Sequence, residues 1–212
     1  MVDTVRTLAA LQSLLADNAT GDISAQDVRD MLVSTFGFAQ IERQVLGAPA
    51  GTITFDSIPS NFTDLRITYS AKTDRSDNDD EAIIMRLGAT AVDSGASDYG
   101  YRTNYVSNVT DFVQADATAS FLYAGLAGGN QSSNIRFGGG FIDIFEYAAT
   151  GRNKNMVFHS GLITTAAETI RYVGSGSWYN TTDAVDIIEL SPETATDFDA
   201  DSTFTLYGLG TV

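Results

Sequence analysis

The change of hydrophobic period near Ile41 constrains this chain more than any other feature. Before it, apolar residues recur at helical spacing. After it, they alternate, as in strands with one buried face. Leu65, Ile67 and Tyr69 alternate with Arg66, Thr68 and Ser70, and Ile83, Met85 and Leu87 with Ile84, Arg86 and Gly88. Further strands are expected at 52–55, 99–105, 120–124, 135–137, 141–147, 155–164, 169–174, 178–179, 184–190 and 203–208. Turns rich in Gly, Asn, Asp and Ser separate them, and no amphipathic helix intervenes. That order excludes a parallel α/β fold and predicts a mainly β protein: an antiparallel β-sandwich, jelly-roll-like, over residues 41–212. No repeat of fixed period points to a β-helix or a propeller.

Residues 1–40 are expected to form a separate two-helix arm. Val5, Leu8, Leu11 and Leu15 share one face, with Leu14 beside them. Asn18 and Gly21 suit the turn. Ser24 is a good N-cap with Asp27 three residues on, then Val28, Met31, Leu32 and Phe36 make a second stripe that stops at Gly37. Helices of about three turns are marginal alone in water, so these stripes need cover. The cover is either the chain's own β-domain or another polypeptide. The expected assembly interface is Leu8, Leu11, Leu15, Val28, Met31, Leu32 and Phe36.

Composition narrows the partners. Hydrophobic residues make up 43% of the 212, enough for a core. Twelve basic against 27 acidic residues give a net charge of −15. A phosphate backbone or an anionic membrane surface needs clustered Lys and Arg, so neither nucleic acid nor membrane is expected as a partner. With no cysteine, disulfides and thiolate metal sites are impossible. The first residues show no signal-peptide pattern and no apolar run spans a bilayer, so synthesis in a cytoplasm is expected. The Asn-x-Ser/Thr matches at Asn18, Asn61, Asn108, Asn130 and Asn180 are then chance.

Two stretches carry a family resemblance. Leu14–Ser34, LLADNATGDISAQDVRDMLVS, is similar to an N-terminal element of tail-fibre and virion proteins of tailed bacteriophages. The series Gly51–Asp74, Ile83–Gly88, Ile142–Tyr147, Ser177–Leu190 and Phe198–Leu209 resembles a β-sandwich module of phage structural proteins. The resemblance implies a virion component of fibre type (tail, neck or head), assembled through its N-terminal helices, with other virion proteins as partners and a homotrimer as the expected state. Capsid decoration, or a carbohydrate-binding adhesin module for a host-surface glycan, are the alternatives. It carries no catalytic or ligand set.

Local chemistry is weighed against ordinary structure. The acidic run Asp74–Glu81 and the alternating Asp197, Asp199 and Asp201 could offer oxygens to Ca²⁺, but the EF-hand pattern fails and solvated loops are expected, so no metal is assigned. His159, the sole histidine, lies in a strand pattern with no Gly-x-Ser-x-Gly elbow. Asp143 with Glu146, or Asp186 with Glu189, could pair for glycoside hydrolysis, yet such pairs arise by chance among this many acids. Gly128-Gly129 and Gly138-Gly139-Gly140 lack the Lys and helix of a phosphate loop, and read as turns or close packing. Tyr99, Tyr101, Trp178 and Tyr179 could form a sugar platform, with core or interface packing the favoured reading. No enzyme and no cofactor are expected.

Overall fold

The computed structural model describes residues 38–131, 136–164 and 168–210. Within them the chain forms twelve strands: β1 (Phe38–Val45), β2 (Ile53–Phe55), β3 (Asp64–Ala71), β4 (Asp80–Gly88), β5 (Tyr99–Val106), β6 (Asp111–Ala119), β7 (Leu122–Gly128), β8 (Gly138–Phe145), β9 (Lys154–Ile163), β10 (Thr169–Trp178), β11 (Ile187–Pro192) and β12 (Thr203–Leu209). They make two unequal antiparallel sheets. The large one runs β1-β12-β3-β8-β9-β10-β5-β6 and the small one β2-β11-β4-β7. The expected antiparallel sandwich is the architecture found. The anchor residues Leu8, Leu11, Leu15, Val28, Met31, Leu32 and Phe36 lie outside the described residues. Strand β1 starts at Phe38, so residues 38–40, grouped with the arm by sequence, pair with β12.

Alternation builds the core. Leu65 and Ile67 of β3, Ile142 and Ile144 of β8, and Phe204 and Leu206 of β12 point inward from the large sheet. Ile83, Met85 and Leu87 of β4 and Ile188 and Leu190 of β11 meet them from the small one. Each such side chain contributes about 1.5–3 kcal/mol by leaving water.

Strand β7 departs from alternation, since all seven of its residues are buried. Small residues explain this. Ala124, Gly125, Ala127 and Gly128 let its backbone come close to β8 and β9. A Cβ at Gly138 would collide with the Leu126 carbonyl oxygen, and one at Gly140 with the His159 carbonyl. The Tyr69 and Ser160 hydroxyls both accept from the Leu126 amide, at 3.1 Å each, tying the two sheets together there.

Three expectations need correcting. No strand is legible at Asp111–Ala119, yet β6 lies there as an edge strand exposed on both faces, where apolar alternation is not required. Residue 135 of the expected strand 135–137 lies outside the described residues, residues 136–137 form no strand, and the strand begins at Gly138 because the glycine run packs closely within β8. Trp178 ends β10 through Gly174 and Gly176 and does not begin a separate strand.

Candidate functional site

The small sheet is narrower than the large one, and β5 and β6 overhang it. The pairing register puts Tyr101, Thr103 and Tyr105 of β5, Phe112, Gln114 and Asp116 of β6, and Tyr172 of β10 on the overhanging inner face. Where that face passes the ends of β4, β7 and β11, a cleft of about 460 Å³ opens. This lies within the range of small-ligand sites, about 300–1,000 Å³.

One wall is the β5–β6 hairpin. Its turn is held by Ser107, whose amide donates to the Thr110 carbonyl at 2.7 Å and whose hydroxyl accepts from the amides of Val109 and Thr110. This fixes Tyr105 opposite Phe112, with rings stacked at 4.9 Å and 14°. Tyr172 meets Tyr105 edge-on at 6.1 Å. Phe112 is 45% exposed, so the stack is presented to solvent. The floor is Leu126, Ile170, Tyr123 and Tyr172.

The polar lining is acidic. Asp79, Asp80, Glu168 and Glu193 face the cleft, with Arg75 as the one cationic side chain lining it. Arg75 donates to Asp77 at 2.9 Å and to Glu81 at 2.7 Å. Glu81 is fully buried and also accepts from the amides of Thr194 and Ala195. The guanidinium charge is thus compensated by its own loop. Burial raises the Asp80 carboxyl above the ordinary range, opposed by Arg75 and reinforced by Glu81, Glu168 and Asp79. Burial also raises the Tyr105 hydroxyl, and the charges of Asp80 and Glu168 push it the same way. Tyr123 donates to Glu193 at 2.5 Å and accepts from Gln114.

Of the residues singled out by sequence, Asp79 and Asp80 of the acidic run line the cleft and Tyr101 lies on the same inner face, while the others go elsewhere. Trp178 and Tyr99 are fully buried at the opposite end of the same strands. The Trp178 indole N–H donates to Asp93 at 2.8 Å, and the Tyr99 hydroxyl accepts from the Leu87 amide and donates to the Asp93 carbonyl. Lys154 lies 5.1 Å over the Trp178 ring with its ammonium on the Asn180 and Asp183 carbonyls, and burial lowers its pKa. Tyr99 and Trp178 are therefore core, and no platform joins them to the exposed Tyr179.

Asp143 forms a two-pronged pair with Arg66 at 2.5 and 2.6 Å, while Glu146 pairs with Arg152. Asp186 is exposed and Glu189 faces Arg86, so neither carboxylate couple is brought together. His159 stacks on Phe141 on the outer face of the large sheet. The acidic run is more than a solvated loop. Asp74 accepts from the amides of Thr196 and Asp197, and Glu81 anchors the same segment from inside. Asp199 pairs with Lys72 at 2.8 Å. At Gly129 a side chain would strike the Asn78 carbonyl, so Gly128-Gly129, like Gly138–Gly140, serves close packing.

Sequence reasoning passed over Phe112, Gln114, Tyr172 and Glu168. The available signal was the pair of alternations Tyr101-x-Thr103-x-Tyr105 and Phe112-x-Gln114-x-Asp116 around a four-residue polar turn, a hairpin with one amphipathic aromatic face.

No family model matches the chain, and no curated protein matches it. Among solved structures it is similar at 9% identity to the exoplasmic/lumenal domain of VIP36 in a Ca2+/Man3GlcNAc-bound form, over 80% of this chain and 89% of that one, with TM-score 0.31. A Ruminococcus gnavus IT-sialidase CBM40 bound to alpha2,3 sialyllactose matches at 9% identity over 81% and 92%, with TM-score 0.28. The CBM2 module of an evolved Dit from Lactobacillus casei BL23 phage J-1 matches at 8% identity over 79% and 77%, with TM-score 0.18. Likenesses this slight assign no family.

Proposed function

We propose that this chain is a saccharide-binding module of a phage particle, in which the β-sandwich presents the cleft between β5–β6 and the small sheet. The observation that carries the reading is the Tyr105–Phe112 stack, exposed beside carboxylates and an amide in one concavity. Sugar rings place their C–H faces on aromatic rings and their hydroxyls on fixed polar groups. The chain has no catalytic part in this reading. A glycan array probed with the purified chain tests it. Binding should be specific and lost in Phe112→Ala, with thermal melting unchanged within a few degrees. Binding that survives in Phe112→Ala and Tyr105→Ala sinks the cleft as the site.

The second reading is a fibre-type subunit or capsid-decoration protein with an assembly role alone. It is favoured by the phage-like stretch Leu14–Ser34, and by Phe145, Val157 and Ile163, exposed apolar residues of the large sheet. It predicts a trimer by light scattering. It also predicts that Leu11→Asp with Leu15→Asp abolishes incorporation into particles while the sandwich stays folded. Wild-type incorporation of that double variant removes it.

A further inference from the structure

Resting on the saccharide reading, we propose that the cleft selects a cationic sugar: a hexosamine whose nitrogen is a free ammonium, seated against the Tyr105–Phe112 stack and the carboxylates of Asp80 and Glu168. Three independent features of the cleft converge on this chemistry.

The first is charge. Four carboxylates and one guanidinium line the cleft, and that guanidinium is already held by Asp77 and Glu81. No ion pair among the described residues engages Asp80, Glu168 or Glu193. The site is therefore a negative concavity on a chain of net charge −15, which repels uronic and sialic acids and phosphates.

The second is hydrogen-bonding sense. Ionised carboxylates only accept. The Gln114 amide nitrogen is turned to the Tyr101 and Tyr123 hydroxyls, and the Tyr123 hydroxyl is given to Glu193. The carboxylates beside the stack offer acceptors alone, so a ligand with clustered N–H donors satisfies them best. An ammonium supplies three such donors; an N-acetyl group supplies one and adds an acceptor of its own.

The third is the aromatic wall. A cation within about 6 Å of a ring face is attracted by the ring's quadrupole, more strongly where water is excluded. The stack presents the exposed ring of Phe112, and Tyr105 beside it lies close enough to Asp80 and Glu168 to feel both charges. An ammonium placed there meets ring and carboxylates together. A neutral sugar uses only the ring.

Calorimetric titration with the β-linked glucosamine disaccharide and with its di-N-acetylated form tests the proposal on the full chain. The free-amine form should bind about tenfold tighter, and added salt should erode the difference. Asp80→Asn should cut the free-amine affinity about tenfold while leaving the N-acetylated form unaffected. Asp186→Asn, an exposed acid remote from the cleft, should change neither. Equal or tighter binding of the N-acetylated form overturns the ammonium preference and leaves the saccharide reading standing. An equal loss in Asp186→Asn shows bulk charge attraction and overturns it too. Absence of binding by both sugars overturns the ammonium preference, while the saccharide reading stands or falls by the glycan array. Melting curves of each variant establish that it is folded.

Discussion

The two ends of the β5–β10 ladder share one inward face and one residue class, yet differ in what covers them. At one end Trp178 opposes Tyr99; both are fully buried, their polar atoms are matched by Asp93 and Leu87, and Lys154 lies over the Trp178 ring. At the other end Tyr172 opposes Tyr105, and across the next ladder Tyr105 opposes Phe112 of β6. There the small sheet has run out, and the aromatic row lines a cleft. An aromatic on an inward face becomes core or cleft wall according to the opposing layer. The side chain itself does not decide it.

The largest effect that could break this contrast is on stability. Trp178→Ala should lower the unfolding free energy by about 3–5 kcal/mol, through lost burial and a cavity. Phe112→Ala should cost about 1 kcal/mol or less, since nearly half of its surface is already in water. Urea denaturation measures both. Equal costs would mean that the two ends are equally packed.

Next is the support behind the open end. Glu81 is buried with Arg75 and two backbone amides as partners. Removing it leaves both amides and the Nη1 arm of Arg75 without an acceptor, while Nε stays on Asp77, and Glu81→Ala should cost about 3 kcal/mol. The acidic run would then melt at lower denaturant than β8–β9, which hydrogen exchange can resolve. A neutral outcome would show that the segment before β4 is held by its exposed contacts alone.

The smallest effect sharpens the electrostatic side. Burial raises the folded-state pKa of Asp80 above its unfolded value. The folded state therefore binds this proton more tightly, and the favourable contribution is present at acid pH and lost as pH rises through the raised pKa. Asp80→Asn should accordingly raise the urea midpoint slightly at pH 8 and not at pH 3. Arg75, Asp79, Glu81 and Glu168 surround the group, so a midpoint that falls at pH 8 would mean that Arg75 outweighs the burial.

Much of the fold was legible. Strands such as β3, β4 and β12 face core on one side, and that forces an alternation that survives in the residues. Strand β6 was hidden because neither of its faces is covered, and the start of β8 because its opening glycines suit the passage of β7 and not strand propensity, although the rest of β8 was legible from Phe141 on. The cleft was half legible. Tyr101 stood out among the candidate platform residues, but a sequence cannot say where a second sheet stops, so Trp178 looked available while Phe112 went unnoticed. Glu168 lies 88 residues from Asp80 (168 − 80) and joins it only through the pairing of separate strands.

The central claim is that ligand recognition belongs to the open end of this ladder. The most direct measurement is a ¹⁵N–¹H titration of the labelled chain with the glucosamine disaccharide. The account predicts shifts concentrated at Asp80, Tyr105, Phe112 and Tyr172, with Tyr99, Trp178 and the outer-face residue His159 unmoved. Shifts centred on His159 and Arg66 across the outer face, or no shifts at saturating sugar, would contradict it.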